Sequence, residues 1–367
     1  MNKKSWLSLI ILGSLSGFFV LSDFSGSSVS YYQGGQTERE IEEREEKKEE
    51  KVERPPLDEA EYDRRLEIMA NNPPPKDVSQ YPQTIPPTLP VIVSNPWPVG
   101  TAYPKSGAIL PFERIVAYYG NLYSTKMGVL GQYGEAEMLA RLLREAKKWE
   151  AADPETPVRP ALHYIAVVAQ NAPGKDEKYR TRMPESEVEK VLKLAEKINA
   201  LVFLDFQVAF STLEKELPVY EKYLKLPNVH LGIDPEFSMK GGIRPGKVIG
   251  TFDASDVNLA VNYLAGLVEE YDLPPKVLVV HRFTGKMVTN YKEIKPSPEV
   301  QIVMHMDGWG EKAKKISTYK QFIVREPVQF AGFKLFYKND ILKPGSELFT
   351  PEELLKLNPR PIYIQYQ

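Results

Sequence analysis

Two hydrophobic patterns alternate along residues 112–367. Short apolar runs typical of buried strands are separated by segments in which apolar residues recur every three to four positions, as on one face of a helix. Strands are predicted at Arg114–Tyr119, Ala161–Ala169, Ala200–Val208, Val229–Phe237, Lys276–Phe283, Val300–Asp307 and Phe330–Tyr337. Helices are predicted at Glu135–Ala151, Glu185–Asn199, Thr212–Leu224, Ser255–Tyr271 and Glu311–Ile323. Strands that alternate with helices favour an α/β fold with a parallel sheet.

The length of this part of the chain favours a (β/α)8 TIM-like barrel, which typically has about 250 residues. Such a barrel needs an eighth strand, and the pattern offers two short segments for it, Val248–Asp253 and Phe322–Val324. A doubly wound open sheet is the alternative architecture.

The first 30 residues have the pattern of a signal peptide or a membrane anchor. Lys3 and Lys4 precede an apolar run from Trp6 to Leu21, which lies between the length of a secretory core and that of a full membrane span. Positive charge before the run predicts that everything after it lies outside the cytoplasmic membrane. We therefore expect an exported protein, extracellular or at the cell surface, anchored through residues 6–21 if the segment is not cleaved.

Residues 31–111 differ in composition from both neighbouring segments. Thr37 to Ala70 is dominated by charged side chains with acids in excess, and residues 55–111 are rich in proline. The charged part lacks an apolar face and is not expected to pack, and proline favours an extended, semi-rigid chain. We predict a disordered linker at 31–111 that tethers a barrel domain at 112–367.

Composition narrows the chemistry. The chain has no cysteine, which excludes disulfides, cysteine-ligated metals and a cysteine nucleophile. Its formal net charge is −2, so the basic footprint of a nucleic-acid-binding protein is absent from the sequence. Nucleic acid is therefore not expected as a partner.

Ionisable residues fall near the ends of several predicted strands. Catalytic groups in a barrel come from the carboxyl ends of its strands, and side chains alternate between the two faces of each strand. The residues expected to meet at one mouth are Asp205, Asp234, Glu236, His281, His305 and Asp307. Because buried charge without partners is costly, such a set indicates a functional cleft. His163 and His230 are expected to be core histidines at the other end of the barrel.

Asp234-Pro235-Glu236 is the most specific element of this set. On an extended strand, two carboxylates separated by one residue lie on the same face, roughly 6–7 Å apart. Repulsion between them raises one pKa, so one group stays protonated as a general acid while the other is ionised. Paired carboxyl groups of this kind cleave glycosidic bonds.

The sequence GIDPE at residues 232–236 resembles the D-x-E element that ends the fourth strand of TIM-barrel glycoside hydrolases, such as the chitinase-like and lysozyme-like families. The sequence LDF at residues 204–206 ends the preceding strand, where those families often carry a further aspartate. The resemblance implies a surface-tethered glycan hydrolase with Glu236 as the general acid. By the same resemblance Asp234 orients the substrate or tunes Glu236, and Asp205 assists.

Other polar and aromatic residues are predicted to bind the substrate, a polysaccharide or cell-wall glycan. Sugar rings stack on aromatic faces, and imidazoles and carboxylates form hydrogen bonds with hydroxyl groups. The predicted substrate-binding residues are Tyr118, Tyr119, Gln207, His281, His305, Asp307 and Trp309. This chemistry requires no cofactor.

Two alternatives remain open. A metal-dependent hydrolase would use His281, His305 and Asp307 as ligands. Asp205 or Asp234 would complete the shell of its divalent metal. A non-catalytic surface barrel would instead bind glycan or protein, because the same fold hosts many functions.

Overall fold

The computed structural model of the chain describes residues 54–72 and 96–367. The predicted signal or anchor segment and most of the predicted linker lie outside the described residues. From Pro56 onward, the described residues belong to one compact unit, Pro56–Gln367. Within these residues no helix is both long enough and apolar enough to cross a membrane.

Eight parallel strands close into a barrel within the described residues. They are β1 (Arg114–Gly120), β2 (Val158–Ala169), β3 (Leu201–Phe206), β4 (Val229–Ile233), β5 (Lys276–Arg282), β6 (Val300–Met306), β7 (Phe330–Leu335) and β8 (Tyr363–Tyr366). Each strand pairs with the next one along the chain, and β8 pairs with β1, where Ile115 lies opposite Tyr363. The predicted (β/α)8 TIM-like barrel is therefore confirmed. Closure of the sheet excludes the open, doubly wound alternative.

Helices cover the outside of the barrel, and one precedes its first strand. They are α1 (Glu59–Ala70), α2 (Glu135–Ala152), α3 (Glu185–Glu196), α4 (Leu213–Glu216), α5 (Glu221–Leu224), α6 (Ala254–Glu270), α7 (Lys312–Tyr319) and α8 (Pro351–Leu354). The longer helices are amphipathic, and their apolar faces are buried, with Leu142 and Trp149 of α2 as examples. Two 3₁₀ turns, Gly285–Met287 and Tyr291–Glu293, follow β5 where the other long connections carry a helix.

The eighth strand is Tyr363–Tyr366, and neither segment proposed from the sequence forms it. Phe252–Asp253, from the first of those segments, pairs with another two-residue strand in a separate small sheet. Phe322–Val324 lies within a π-helical turn, Lys320–Val324. The sequence conceals β8 because the strand is only four residues long and carries a polar side chain, Gln365, toward the barrel interior.

Helix α1 lies at the amino-terminal end of the barrel, inside the segment predicted to be a linker. Arg65 donates a hydrogen bond to the carbonyl of Phe112, just before β1, and the N–H of Arg360, just before β8, donates to Met69. Tyr62 is buried among the interior side chains of the barrel. Tyr62 and Met69 lie on one face of a mostly charged helix, so the excess of charge concealed this face. The compact unit therefore begins before residue 112, the start predicted for the barrel domain.

Alternation along the strands sorts apolar side chains into two layers. Outward residues such as Val116 and Leu162 pack under the helices. Inward residues such as Ala117, Phe203 and Val279 fill the lower interior of the barrel, the part further from the carboxyl ends of the strands. Burial of each large apolar side chain stabilises the folded state by about 1.5–3 kcal/mol relative to leaving it exposed. The upper interior, at the carboxyl ends of the strands, is polar instead. Hydrogen bonds and ion pairs there must offset the cost of burying polar side chains.

Candidate active site

Polar side chains fill the upper interior of the barrel, at the carboxyl ends of the strands. Asp234 directly follows β4, and Asp307 directly follows β6. The strands themselves contribute Tyr119 (β1), His163 (β2), Asp205 (β3), His281 (β5), His305 (β6), Lys334 (β7) and Gln365 (β8). All of these side chains are buried. The alternation that the sequence predicts along β3, β5 and β6 thus brings carboxylates and imidazoles together.

Asp205 lies at the centre of this polar layer. Its Oδ1 atom is 3.2 Å from Nε2 of His163 and 3.3 Å from Nε2 of His281. Its Oδ2 atom accepts a hydrogen bond from the hydroxyl of Tyr119 at 3.1 Å. Burial opposes ionisation, but the two imidazoles hold the pKa of Asp205 well below its ordinary value. Because its side chain is fully buried, Asp205 can act on a bound molecule only through its neighbours.

Asp307 is the carboxylate at the end of β6, and a cation or imidazole contacts each of its oxygens. Oδ2 forms a hydrogen bond with Nδ1 of His281 at 2.8 Å, and Oδ1 is 3.0 Å from Nζ of Lys334. Nζ of Lys334 also lies 3.8 Å from the centre of the Tyr119 ring, a cation–π contact. Burial favours the neutral acid, yet Lys334 and His281 keep the pKa of Asp307 well below its ordinary value. The structure therefore holds Asp307 as an anion.

The sequence pattern predicted that Asp234 and Glu236 share one face of an extended strand, and the structure contradicts this prediction. Strand β4 ends at Ile233, and Pro235–Phe237 forms a 3₁₀ turn. Oδ1 of Asp234 caps this turn by accepting a hydrogen bond from the backbone N–H of Glu236 at 3.0 Å. Proline at the first position favours the turn because its fixed backbone angle suits a helical start. The cap and the proline, rather than strand alternation, therefore set the direction of Glu236.

Both carboxyl groups of this turn favour the protonated form. Burial, followed by the negative charge of Asp307, raises the pKa of Glu236 to about 7. Lys334 and His281 oppose this rise only in part. Burial also raises the pKa of Asp234 well above its ordinary value. Glu236 is half-buried whereas Asp234 is buried, so of these two carboxyl groups with raised pKa values Glu236 is the one that solvent can reach.

Two inward-facing glycines make room for the polar layer. A Cβ atom at Gly232 would lie 2.4 Å from Oδ1 of Asp205 and 2.4 Å from Nε2 of His163. A Cβ atom at Gly332 would lie 2.6 Å from Nδ1 of His305. Atoms in a packed interior do not approach so closely. Any larger residue at either position would therefore displace a carboxylate or an imidazole.

Not every residue predicted to bind substrate lies in this layer. Gln207 does, because its amide donates to the hydroxyl of Tyr119 at 3.3 Å and lies 3.5 Å from Oδ2 of Asp234. Tyr118 does not, because it points outward from β1 and packs in the layer under the helices. Trp309 lies on the loop after β6 and is 38% exposed.

Two residues join the polar layer although sequence patterns did not place them there. Lys334 shares the inward face of β7 with Gly332, and a charge in an otherwise apolar strand was the available signal. His163 was expected at the other end of the barrel, but β2 begins earlier than predicted, so His163 lies further along the strand. His230 is buried and accepts a hydrogen bond, as expected of a core histidine.

The described residues contain one group of three metal-ligating side chains in close proximity. His163, Asp205 and His281 each present one ligand atom, and these atoms lie within 4.8 Å of one another. The ligand set predicted from the sequence, His281 with His305 and Asp307, is not gathered in this way within the described part of the chain. His305 contacts His281 through the rings, whose centroids are 5.2 Å apart.

Comparison with known proteins finds similarity of fold only. No protein-family model and no curated protein matches the sequence. Among solved structures, ZgEngAGH5_4 in complex with a cellotriose is 12% identical over 71% of this chain and 88% of its own, with a TM-score of 0.39. A GH5-4 broad specificity endoglucanase from Clostridium acetobutylicum is 10% identical over 70% and 87%, with a TM-score of 0.37. At such low identities and TM-scores, these likenesses assign no family, activity or residue role to this chain.

Proposed function

We propose that the protein hydrolyses a glycosidic bond at the carboxyl end of its barrel, with Glu236 as the general acid. One arrangement carries the proposal: Glu236 and Asp307 follow β4 and β6 at the same end of the barrel, where burial and then the charge of Asp307 raise the pKa of Glu236 to about 7. Glycoside hydrolysis uses two carboxyl groups in opposite protonation states. Both residues follow barrel strands at the end where TIM-barrel enzymes carry their active sites.

In this proposal the two carboxyl groups divide the proton transfers. Glu236 donates its proton to the leaving oxygen of the glycoside, and Asp307 accepts a proton from the attacking water. His281 contacts Oδ2 of Asp307 and Lys334 contacts Oδ1, and the two contacts hold Asp307 ionised. The anion is therefore available without any further deprotonation step.

The two other carboxylates singled out by the sequence act as positioning residues in this proposal. Asp234 fixes the backbone of Glu236 through the cap of the 3₁₀ turn. Asp205 contacts His281 from inside the barrel, at 3.3 Å between Oδ1 and Nε2. His281 in turn bonds Asp307, so Asp205 orients the proposed base indirectly.

Aromatic rings on the surrounding loops support a carbohydrate substrate. Tyr123 follows β1 and is 66% exposed, and Trp309 follows β6 and is 38% exposed. Sugar rings stack on aromatic faces that combine an apolar body with a polar edge. We propose a polysaccharide or cell-wall glycan as the substrate class.

We also propose that the protein is exported and held at the cell surface. The apolar run Trp6 to Leu21, preceded by Lys3 and Lys4, supports an export signal or anchor. The charged and proline-rich segment after it is suited to a spacer. Fractionation of the source cells tests this proposal, because recovery of the full chain in the cytoplasmic fraction would contradict it.

Glu236→Gln tests the proposed hydrolase, because glutamine keeps the shape of the side chain and cannot donate a carboxyl proton. We expect the full-length wild type to release reducing ends from at least one polymer in a panel of β-glucans, chitin and peptidoglycan. The variant is expected to bind that polymer and to lose about 10²–10⁴-fold in turnover, the usual contribution of a general acid.

Glu293→Gln is the matched control. Glu293 is an exposed glutamate in another 3₁₀ turn of the same barrel. The substitution Glu293→Gln makes the same chemical change away from the polar layer, so turnover is expected to stay at the wild-type rate. Wild-type turnover by Glu236→Gln would remove Glu236 from the mechanism.

A non-catalytic glycan- or protein-binding barrel is the second candidate function. It is favoured by the two contacts on Asp307, because a carboxylate held by an ammonium and an imidazole is a weaker base. A groove of about 720 Å³ on the outer surface, between α4 and α6, offers a separate binding surface. Binding that Glu236→Gln leaves unchanged, with no hydrolysis of any polymer in the panel by the wild type, is the outcome that this candidate predicts.

A further inference from the structure

Three buried ligand atoms converge inside the barrel, at the three-residue group already described. Oδ1 of Asp205 lies 3.2 Å from Nε2 of His163 and 3.3 Å from Nε2 of His281. None of the three side chains has exposed surface. None of the three atoms has a hydrogen-bond partner elsewhere in the part of the chain that the structure describes. The two imidazole nitrogens thus share a single carboxylate oxygen, and a cation that contacts all three atoms would satisfy them together.

The opposite side of each ligand is already held in place. Nδ1 of His163 lies 2.6 Å from the hydroxyl of Tyr363. Nδ1 of His281 lies 2.8 Å from Oδ2 of Asp307. The second oxygen of Asp205 likewise accepts a hydrogen bond. Histidines that bind metals in proteins commonly use their other ring nitrogen in this way, which fixes the tautomer and aims the free nitrogen at the ion.

The two distances from Oδ1 of Asp205 to the imidazole nitrogens fit a small cation. In a tetrahedral zinc site, bonds of about 2.0–2.2 Å place neighbouring ligand atoms about 3.4 Å apart. The two separations from Oδ1 of Asp205, 3.2 and 3.3 Å, are close to that value. Gly232 keeps the space beside these atoms clear, because a Cβ there would lie 2.4 Å from both Oδ1 of Asp205 and Nε2 of His163.

We propose that His163, Asp205 and His281 bind a divalent transition-metal ion inside the barrel, with zinc as the best match to two nitrogens and one oxygen. This site goes beyond the proposed hydrolase, because its ligands are fully buried. It keeps His281 and Asp205 of the ligands that the sequence predicted and takes His163 in place of His305 and Asp307. In the proposed site the positive charge of the ion offsets the negative charge of Asp205. His281 would face the ion through Nε2 while Nδ1 contacts Asp307. Because the ligands are fully buried, the ion enters as the chain folds.

Elemental analysis of the full chain tests the site directly. The protein is purified from cells grown with zinc, and a second sample is unfolded with a chelator and refolded with Zn²⁺ or with Co²⁺. We expect about one tightly held zinc ion per folded chain, since a buried structural ion is retained through dialysis. The cobalt form is expected to show the strong visible absorption of tetrahedral Co²⁺.

Matched variants identify the ligands. His163→Asn removes the Nε2 atom and keeps a polar atom toward Tyr363, and we expect it to lose the ion. His230→Asn makes the same change at another fully buried histidine, which uses Nδ1 to accept a hydrogen bond from Val277 and is outside the group. We expect that control to keep the ion. Equal zinc in both variants and the wild type would overturn the assignment.

The wild-type measurement decides the matter even if His163→Asn does not fold. Folded wild-type protein that holds no stoichiometric zinc or cobalt after refolding in excess metal overturns the site. In that case the His281 imidazolium alone bridges Asp205 and Asp307. Glycan hydrolysis by Glu236 is measured separately, so failure of the metal site and failure of the proposed function are distinguishable.

Discussion

At the scale of single residues, burial and neighbouring charges shift the pKa values of two carboxyl groups in this barrel in opposite directions. Asp307 faces the ammonium of Lys334 and the imidazole of His281, which hold it ionised against the effect of burial. Glu236 is governed by burial first, and the charge of Asp307 opposes a second negative charge nearby. Position rather than residue type therefore assigns the proposed acid and the proposed base.

Alternation along strands was sufficient to predict part of this site. Asp205, His281 and His305 occupy inward positions near the ends of their strands, as a period of two requires. The same argument does not reach Glu236, because a cap and a proline set the direction of the chain after the strand ends. It also passes over Lys334, since a lone lysine in an apolar run is equally expected at the surface.

At the scale of elements, long apolar strands were easier to predict than short or interrupted elements. Strands β5 and β6 begin at the predicted residues, because a strand buried on both faces is a continuous apolar run. The four-residue β8 is identifiable only from its pairing with β7 and β1. The helix predicted at Thr212–Leu224 is divided into α4, a 3₁₀ turn that contains Pro218, and α5. Proline cannot donate the backbone hydrogen bond of a continuous helix.

Helix α1 supplies a prediction about stability at the element scale. The ring of Tyr62 is buried at the amino-terminal end of the barrel, 6.1 Å from the ring of Phe112 between centroids. We expect Tyr62→Ala to lower the free energy of unfolding by about 3–5 kcal/mol, the usual cost of removing a large buried aromatic side chain. Denaturant titration of the full chain measures this change. The rate of hydrolysis by folded protein is expected to stay the same, because Glu236 lies at the other end of the barrel.

Glu67→Ala, an exposed position on the same helix, is the control for that measurement. We expect it to change the free energy of unfolding by less than about 0.5 kcal/mol. If Tyr62→Ala were no more destabilising than this control, α1 would not contribute to the folded unit.

At the scale of the whole molecule, the barrel interior is divided into an apolar lower part and a polar upper part. Helix α1 adds apolar side chains to the lower part, and the carboxylates, imidazoles and Lys334 form the upper part. Composition alone could not delimit this unit, because α1 is charged where it meets water and apolar where it meets the barrel. The described part of the chain thus contains a closed barrel with one cluster of carboxylates, imidazoles and an ammonium near the carboxyl ends of its strands.

The protonation state of Glu236 tests the central claim most directly. Carboxyl ¹³C NMR of the full chain labelled in glutamate follows this group without any substrate, and Glu236→Gln identifies its signal. The account predicts a pKa of about 7, above the ordinary value of 4.5, because burial and the charge of Asp307 disfavour the anion. A raised pKa means that Glu236 is protonated at pH 6 and loses its proton, and with it the acid function, as the pH rises through 7.

Asp307→Asn provides the internal control, because removal of that negative charge is expected to move the pKa of Glu236 down toward its ordinary value, while Lys334 and His281 remain. Glu236 titrating near 7 in the wild type and lower in this variant is the result that the account predicts. A pKa at or below 4.5 for Glu236 in the folded wild-type protein would contradict it.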